Sequence, residues 1–228
     1  MNISFILVEP ALPENIGAVA RALNTMGFDS LRLVNPQNFP QEKAFHVAHG
    51  SKEVLEKATI HPNLEDALQD IDFAVATSIK KRSVRYDYHH IDRLPEILKA
   101  KKLSVNRIAI VFGGEESGLS NEQIAKCDII SFIPLKKKYP SLNLSHAVML
   151  YAYTLSPFST VKRRQVTVMP TGKYQKMIEM AEASLKEINF RNDSNIYARI
   201  FERLALLSDG DVNLVLSFLA KLHKKTEH

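Results

Sequence analysis

Cysteine is nearly absent from this chain, in which Cys127 is the single example among 228 residues. One thiol excludes a disulfide framework within the chain and any metal site built from several cysteines. Glycine and proline are also scarce, at 8 and 10 residues, whereas apolar residues make up 45% of the chain. This composition is typical of a folded globular protein. A chain of this length predicts one α/β domain with a small appendage.

Long apolar runs are missing too, since no stretch approaches the roughly 18 residues of a membrane span. The N-terminal segment MNISFILVEPAL lacks a basic region, and its apolar run is too short for a signal peptide. The formal net charge is +5, which permits an anionic partner without requiring one. We therefore expect a soluble, cytoplasmic protein.

Short apolar runs alternate with helical patterns through the first two thirds of the chain. Continuous apolar runs predict strands that are buried on both faces, at residues 3–8, 31–34, 59–60, 72–78, 107–112 and 129–133. Helical periodicity occupies the stretches between them. The alternation predicts a parallel sheet covered by helices on both faces.

The composition changes after residue 157. Residues 158–171 have the features of a linker, and three helical patterns follow at 173–188, 195–207 and 212–223. We therefore divide the chain into an α/β domain at 1–157, a linker at 158–171 and a helical domain at 172–228. The last unit is too small to form a substantial core alone, so we expect it to pack against another surface.

The stretch FIPLKKKYPSLNLSHAVMLYAY, residues 132–153, leads from a predicted strand to a predicted helix. The short polar side chains Ser141 and Asn143 stand just before the helix. A strand-to-helix junction presents backbone N–H groups and small polar side chains at the carboxyl end of a strand, where ligands bind. The alternative is a surface loop with an ordinary helix cap.

A second stretch, IVFGGEESGLS at residues 110–120, is glycine-rich. Gly113 and Gly118 have the spacing of P-loop glycines, but Leu119 stands where that motif needs a lysine. What remains is a tight turn at a strand end that presents a carboxylate, Glu115. At Gly113 we expect a Cβ to crowd a bound ligand.

A third stretch, NIGAVAR at residues 15–21, begins a helix that Asn15 is expected to cap. Arg21 interrupts an otherwise apolar helix. Taken alone, it could equally be a surface arginine whose stem covers apolar atoms.

Together the three stretches resemble the SpoU/TrmH-type RNA 2′-O-methyltransferases of the SPOUT superfamily. The resemblance rests on PALPENIGAVARALNTMGF, IVFGGEESGLSNE and IPLKKKYPSLNLSHAVMLYAY and covers about residues 1–157. The segment PTGKYQKMIEMAEASLKEINF is similar to the helical extension of the TrmJ-like subgroup. The resemblance implies an α/β fold with a parallel sheet tied into a trefoil knot, one of the rare exceptions to unthreaded topology.

The resemblance also implies a homodimer that binds S-adenosylmethionine in the knot. It assigns cofactor contacts to Thr77, Ser78, Ile79, Gly113, Ile133, Ser141, Leu142 and Asn143. It assigns catalysis to Arg21, with Asn15, Glu115, Ser141 and Asn143 orienting it. Whether Arg21 acts in its own subunit or in the neighbour's site stays open.

Basic residues follow two of the predicted strand ends. RNA contacts are expected at Lys80, Lys81, Arg82, Arg85, Lys136, Lys137 and Lys138, although solvated charge runs are the common alternative. His46 and His49 have the spacing of metal ligands, but no third ligand is evident and we expect no metal. His89 and His90 are predicted to lie in a loop.

The sequence therefore predicts an S-adenosylmethionine-dependent RNA 2′-O-methyltransferase, with tRNA favoured over rRNA. The alternative is a non-catalytic RNA-binding protein that retains the fold. Methylation of a base is disfavoured by the N-x-G-x-x-x-R motif.

Overall fold

A computed structural model describes residues 1–78, 87–137, 141–159, 172–192 and 194–226. The strands in these residues are β1 (Asn2–Val8), β2 (Leu31–Val34), β3 (Thr59–His61), β4 (Phe73–Thr77), β5 (Tyr88–His90), β6 (Arg107–Phe112) and β7 (Ile129–Phe132). The first helices are α1 (Pro13–Thr25), α2 (Glu42–Ala48), α3 (Lys52–Glu56), α4 (Leu64–Leu68) and α5 (Leu94–Ala100). They are followed by α6 (Asn121–Ala125), α7 (Leu144–Leu155), α8 (Lys173–Glu187), α9 (Asn195–Ala205) and α10 (Asp209–Thr226).

The strands form one sheet in the order β3-β2-β1-β6-β4-β7-β5, and every pair is parallel. Successive side chains of β1 enter two different cores, Phe5 and Leu7 on one face and Ile6 and Val8 on the other. Both faces of the central strands are therefore buried, which explains their uninterrupted apolar sequences. The predicted α/β architecture with helices on both faces is confirmed.

Strand β7 lies between β4 and β5, although both of these precede it in the chain. This order is compatible with the knot that the family resemblance implies. It also makes the carboxyl ends of β1, β6, β4 and β7 consecutive along one edge of the sheet. This edge is called the carboxyl edge below, and the opposite one the amino edge.

Two local expectations are wrong. His89 and His90 belong to β5, whose three residues pair with β7, and the His90 ring packs 4.6 Å from the ring of Phe132. A strand this short has no readable alternation, so the sequence pattern could not reveal it. Asn15 does not cap α1, because the helix begins at Pro13 with Leu12 at the N-cap position.

The C-terminal helices pack on the sheet, as expected for a unit with too little core of its own. Tyr174, Met177 and Ala181 of α8 are buried in the same apolar cluster as Phe73 of β4. The linker falls mostly in 160–171, outside the described residues, and the division into domains stays a prediction. Among the described residues, no helix has the length and apolar character needed to cross a membrane.

Candidate active site

The carboxyl edge collects the loops that carry all three sequence motifs. The loop after β1 leads into α1, and Gly113 and Gly114 follow β6. Thr77 and Ser78 end β4, and the chain after β7 leads to Asn143 at the start of α7. Because these strands are neighbours in the sheet, residues about a hundred positions apart in sequence meet at one place.

A chain of hydrogen bonds joins the three motifs. The Asn15 side-chain amide donates to Glu115 Oε1 at 2.7 Å, and Asn15 Oδ1 accepts from the Asn143 amide at 2.9 Å. Asn143 is in turn fixed as the N-cap of α7, where its Oδ1 accepts from the N–H and hydroxyl of Ser145 at 2.8 and 2.7 Å. Every oxygen in this chain has a donor, so the loops after β6 and β7 are held against the start of α1.

Glu115 also closes the loop that precedes α1. The backbone N–H groups of Ala11 and Leu12 donate to its carboxylate at 3.0 and 3.3 Å. Partial burial alone raises the pKa of Glu115, but the hydrogen bonds from Ala11, Asn15 and Leu12 outweigh it and hold the pKa below its usual value. The carboxylate is therefore charged at neutral pH and serves as an acceptor, not as a proton donor.

Gly113 is required by the fold of its own turn, and its contact with the cofactor stays a prediction. A Cβ built at Gly113 would lie 2.1 Å from the carbonyl carbon of Gly118 and 2.2 Å from the backbone nitrogen of Leu119. The glycine therefore allows the turn to fold back on itself, and a side chain there would collide with the chain's own backbone. The turn is completed by Gly118, which has a φ of 66° and donates its N–H to Gly114.

Gly17, in the middle of the first motif, is a structural residue that sequence reasoning missed. A Cβ at this position would lie 2.2 Å from the carbonyl oxygen of Ala44, so the glycine lets α2 approach α1 closely. A glycine inside a helix normally costs stability. Its presence there was the available signal for a close helix contact.

Arg21 lies apart from the hydrogen-bonded chain. Its side chain is exposed, and within the described residues its guanidinium makes no hydrogen bond or ion pair. It lies six positions after Asn15 in the helix, which turns the two side chains about 120° away from each other. The structure brings Asn15, Glu115 and Asn143 together, but not Arg21.

The proposed cofactor residues occupy the same edge. The Thr77 hydroxyl donates to the carbonyl of Val111 at 2.9 Å, and the Ser78 N–H donates to Ser131 at 3.0 Å. Ile133 and Leu142 are half-buried and Ser141 is exposed. Ile79 lies outside the described residues.

These residues fit a ligand such as S-adenosylmethionine in their chemistry. Ile133 and Leu142 offer apolar surface for a flat base, and Ser78 and Ser141 offer small polar groups. None of them carries a positive charge, so nothing in this set repels a sulfonium cation.

Only two of the seven residues predicted to contact RNA lie among the described residues. Lys136 and Lys137 are exposed beside the carboxyl edge. Outside the described residues lie Lys80, Lys81, Arg82, Arg85 and Lys138. In the described part of the chain, no three histidine, cysteine or carboxylate side chains are grouped for a metal ion, and His46 Nε2 lies 3.1 Å from Glu42.

Comparison with known proteins decides the family. The model of the SpoU rRNA methylase family matches residues 2–153. The chain belongs to the SpoU rRNA methylase family. The match contains the Asn15–Glu115–Asn143 chain of hydrogen bonds, so the residues joined at the carboxyl edge all lie within the family's common domain.

Three relatives of this SpoU-family chain place it more closely. It is 35% identical over 224 residues to the uncharacterized tRNA/rRNA methyltransferase LasT of Escherichia coli K12, covering 98% of both chains. It is 38% identical over 154 residues to the tRNA (cytidine-2′-O-)-methyltransferase TrmJ of Methanocaldococcus jannaschii, covering 67% of this chain and 66% of that relative. The crystal structure of TrmJ from Z. mobilis ZM4 superposes with a TM-score of 0.67 at 27% identity, covering 98% of this chain and 100% of that one. The predicted SPOUT methyltransferase fold is confirmed, and the similarity extends through the C-terminal helices.

Proposed function

We propose that this protein transfers a methyl group from S-adenosylmethionine to a ribose 2′-hydroxyl of RNA, and that its substrate is a tRNA. Membership of a methyltransferase family that uses S-adenosylmethionine supports the reaction class. The name of the M. jannaschii relative, a tRNA (cytidine-2′-O-)-methyltransferase, supports the ribose and the tRNA. A tRNA substrate also favours the cytoplasm as the place of action.

The observation that carries the proposal is the set of hydrogen bonds among Asn15, Glu115 and Asn143. These hydrogen bonds join three loops that lie far apart in the sequence at one edge of the sheet. Such a network is useful where a site must be held in one geometry. We assign these three residues as positioning residues, because their hydrogen bonds hold the loops after β6 and β7 against the start of α1.

Arg21 is the residue that we assign to the RNA. When bound, S-adenosylmethionine supplies a methyl group activated for in-line displacement. A guanidinium is effectively always protonated in proteins, so Arg21 is unsuited to removing the hydroxyl proton. Its planar fork instead suits a bidentate grip on a phosphate and stabilisation of the oxygen as negative charge develops.

We further propose a homodimer in which Arg21 completes the partner's site. One face of α7 carries four residues at helical spacing, His146, Met149, Leu150 and Tyr153. Two of its apolar members, Leu150 and Tyr153, are exposed at 40% and 67%. An exposed apolar stripe of this kind favours an interface. Helix α1, which carries Arg21, packs against α7 and would therefore lie beside that interface.

The reaction can be tested with bulk tRNA from cells that lack this gene. The purified protein and S-adenosylmethionine with a labelled methyl group should label that RNA, and nuclease mapping should place the label on a ribose 2′-oxygen. The same site should be methylated in RNA from cells that keep the gene. Label on a base would contradict the ribose assignment, and RNA binding without any label would favour the non-catalytic alternative.

A further inference from the structure

Helix α1 packs along α2 and the single 3-10 turn that follows it, His49–Ser51, and two contacts show how they are aligned. Near the start of α1, a Cβ at Gly17 would lie 2.2 Å from the carbonyl oxygen of Ala44. Near its end, the Asn24 amide donates to the carbonyl oxygen of Gly50 at 3.4 Å. The two segments therefore run in the same direction. The chain that lies beside the middle of α1 is the stretch between Ala44 and Gly50.

Arg21 is on the side of α1 that borders this stretch. At 3.6 residues per turn, it is rotated by about 40° from Gly17 and by about 60° from Asn24, and both of those residues contact the neighbouring segment. Arg21 is exposed, so it lies at the rim of the contact and not inside it. The exposed residues of the segment 45–50 are therefore the ones that share this rim with it.

Three residues of that segment are exposed: His46, His49 and Gly50. His46 already has a partner, because its Nε2 lies 3.1 Å from Glu42. The imidazole of His49 makes no hydrogen bond or ion pair with any residue that the structure describes. His49 is thus the side chain on this rim, besides Arg21 itself, that has polar atoms left for a ligand.

The backbone of His49 is strained. Its φ is 43° and its ψ is −128°, a combination that glycine adopts far more readily than a residue with a Cβ. The next residue is a glycine, yet a Cβ built at Gly50 would meet no atom within 4 Å. The chain therefore has histidine where glycine would relieve strain, and glycine where a side chain would have room. Strain of this kind is concentrated at functional sites.

The chemistry of this rim suits an RNA backbone. An imidazole donates an N–H hydrogen bond in both its neutral and its charged state, so His49 can bind a phosphate oxygen at any pH near neutrality. Beside it, Gly50 allows close approach of a ligand to the backbone. Contacts to phosphate and sugar fix the register of a nucleic acid on a protein.

We propose that His49 is a second RNA-binding residue, which donates a hydrogen bond to the ribose–phosphate backbone of the strand that Arg21 grips. The inference rests on the proposed function, because it starts from the assignment of Arg21 to the RNA. His49 helps to hold that strand in the register that presents one 2′-hydroxyl for methylation. It contributes to RNA affinity and not to cofactor binding or folding.

The substitution His49→Gly separates RNA binding from a structural role. It removes the imidazole and supplies the residue that the backbone conformation favours, so the melting temperature should not fall. Filter binding of bulk tRNA should weaken by about tenfold, the loss expected for one hydrogen bond to a charged group. Calorimetry with S-adenosylmethionine should show unchanged cofactor affinity.

Two further variants sharpen the test. His49→Asn keeps a side-chain N–H donor on a residue that tolerates a positive φ, so it should bind tRNA at least about threefold more tightly than His49→Gly. His46→Ala is the matched control, because it removes an exposed imidazole three positions away that is already paired with Glu42. Its tRNA affinity should stay within about twofold of the wild type.

Unchanged tRNA affinity in His49→Gly would overturn the inference, as would an equal loss in His46→Ala. A lower melting temperature or weaker cofactor binding in His49→Gly would assign His49 to the fold and would overturn it too. Failure of the proposed reaction is distinguishable, because filter binding needs no turnover. A wild-type protein that binds tRNA but never methylates it would remove the reaction and leave the role of His49 intact. A wild-type protein that binds no RNA would remove both.

Discussion

At the scale of single residues, polar side chains of the three motifs form hydrogen bonds with one another. Asn15 does not cap α1, although asparagine favours cap positions. Its side chain instead bridges Glu115 and Asn143. Glu115 accepts the N–H groups of Ala11 and Leu12, which precede the first residue of α1. A single carboxylate thus satisfies the loop before α1 and ties it to the loop after β6.

Glu115→Gln tests this role through the pH dependence of stability. The hydrogen bonds lower the pKa of Glu115 in the folded protein. A lowered carboxyl pKa stabilises the fold above the unfolded value of about 4.3, and this contribution is lost as the pH falls through the folded pKa. The variant should be less stable by about 1–3 kcal/mol at pH 7, because one N–H donor then faces the amide group.

Urea unfolding over a series of pH values from 7 downwards measures the difference. It should shrink as the pH falls through the lowered folded-state pKa of Glu115, because the wild-type carboxylate then becomes protonated. Glu116→Gln, at the exposed neighbouring position, is the control and should change stability by less than about 0.5 kcal/mol. A destabilisation of Glu115→Gln that is independent of pH would contradict the charged-acceptor role.

Two glycines show which contacts could not be predicted from the sequence. The sequence marks a tight turn at Gly113, and the turn is present. The reason for the glycine is contact with the backbone of Gly118 and Leu119, and such a contact cannot be inferred from local sequence. Gly17 is similar, because its neighbour Ala44 is brought close only by the packing of α2 on α1.

At the scale of elements, the buried strands and most helices followed from apolar periodicity. The order of the strands did not, since it depends on which later strand inserts between two earlier ones. Strand β5 escaped prediction because three residues carry no period, and it is held by pairing with β7 and by the ion pair between Asp87 and Arg199. The meeting of Asn15, Glu115 and Asn143 followed only from the family resemblance.

Tyr174→Phe tests how firmly α8 is attached to the sheet. Asp128 is half-buried, and its carboxylate accepts from the Tyr174 hydroxyl at 2.8 Å and from the N–H of Ala74 at 2.7 Å. Burial raises the pKa of Asp128, and these two donors partly offset that effect. Loss of the hydroxyl should destabilise the protein by about 1–3 kcal/mol, because a buried acceptor loses a donor while the ring still fills its space.

Thermal unfolding compares this variant with Tyr197→Phe, which changes another tyrosine of the C-terminal unit whose ring packs on Phe201. The hydroxyl of Tyr197 makes no hydrogen bond within the described residues, so the control should be nearly neutral. Equal melting temperatures for Tyr174→Phe and the wild type would show that α8 is held by apolar contacts alone.

At the scale of the whole molecule, the two edges of the sheet have different tasks. The carboxyl edge gathers the loops of the candidate active site, and the amino edge is held by α8 and α9 through Asp72, Asp87 and Asp128. Strands β4 and β7 connect the two edges directly. Arg21 does not join the other candidate site residues at the carboxyl edge of its own chain.

Mixing two inactive variants tests whether Arg21 completes the partner's site. Arg21→Ala removes the proposed phosphate grip, and Leu142→Trp is chosen to fill the proposed cofactor site. Each should form a dimer of about twice the 25.8 kDa chain mass and be inactive alone. Random exchange makes half the dimers mixed, and each mixed dimer has one intact composite site, so about a quarter of the wild-type activity should return. A site built within one subunit would regain none. As a control, adding Leu150→Asp to both variants should break the α7 interface and abolish the recovery, with light scattering reporting monomers.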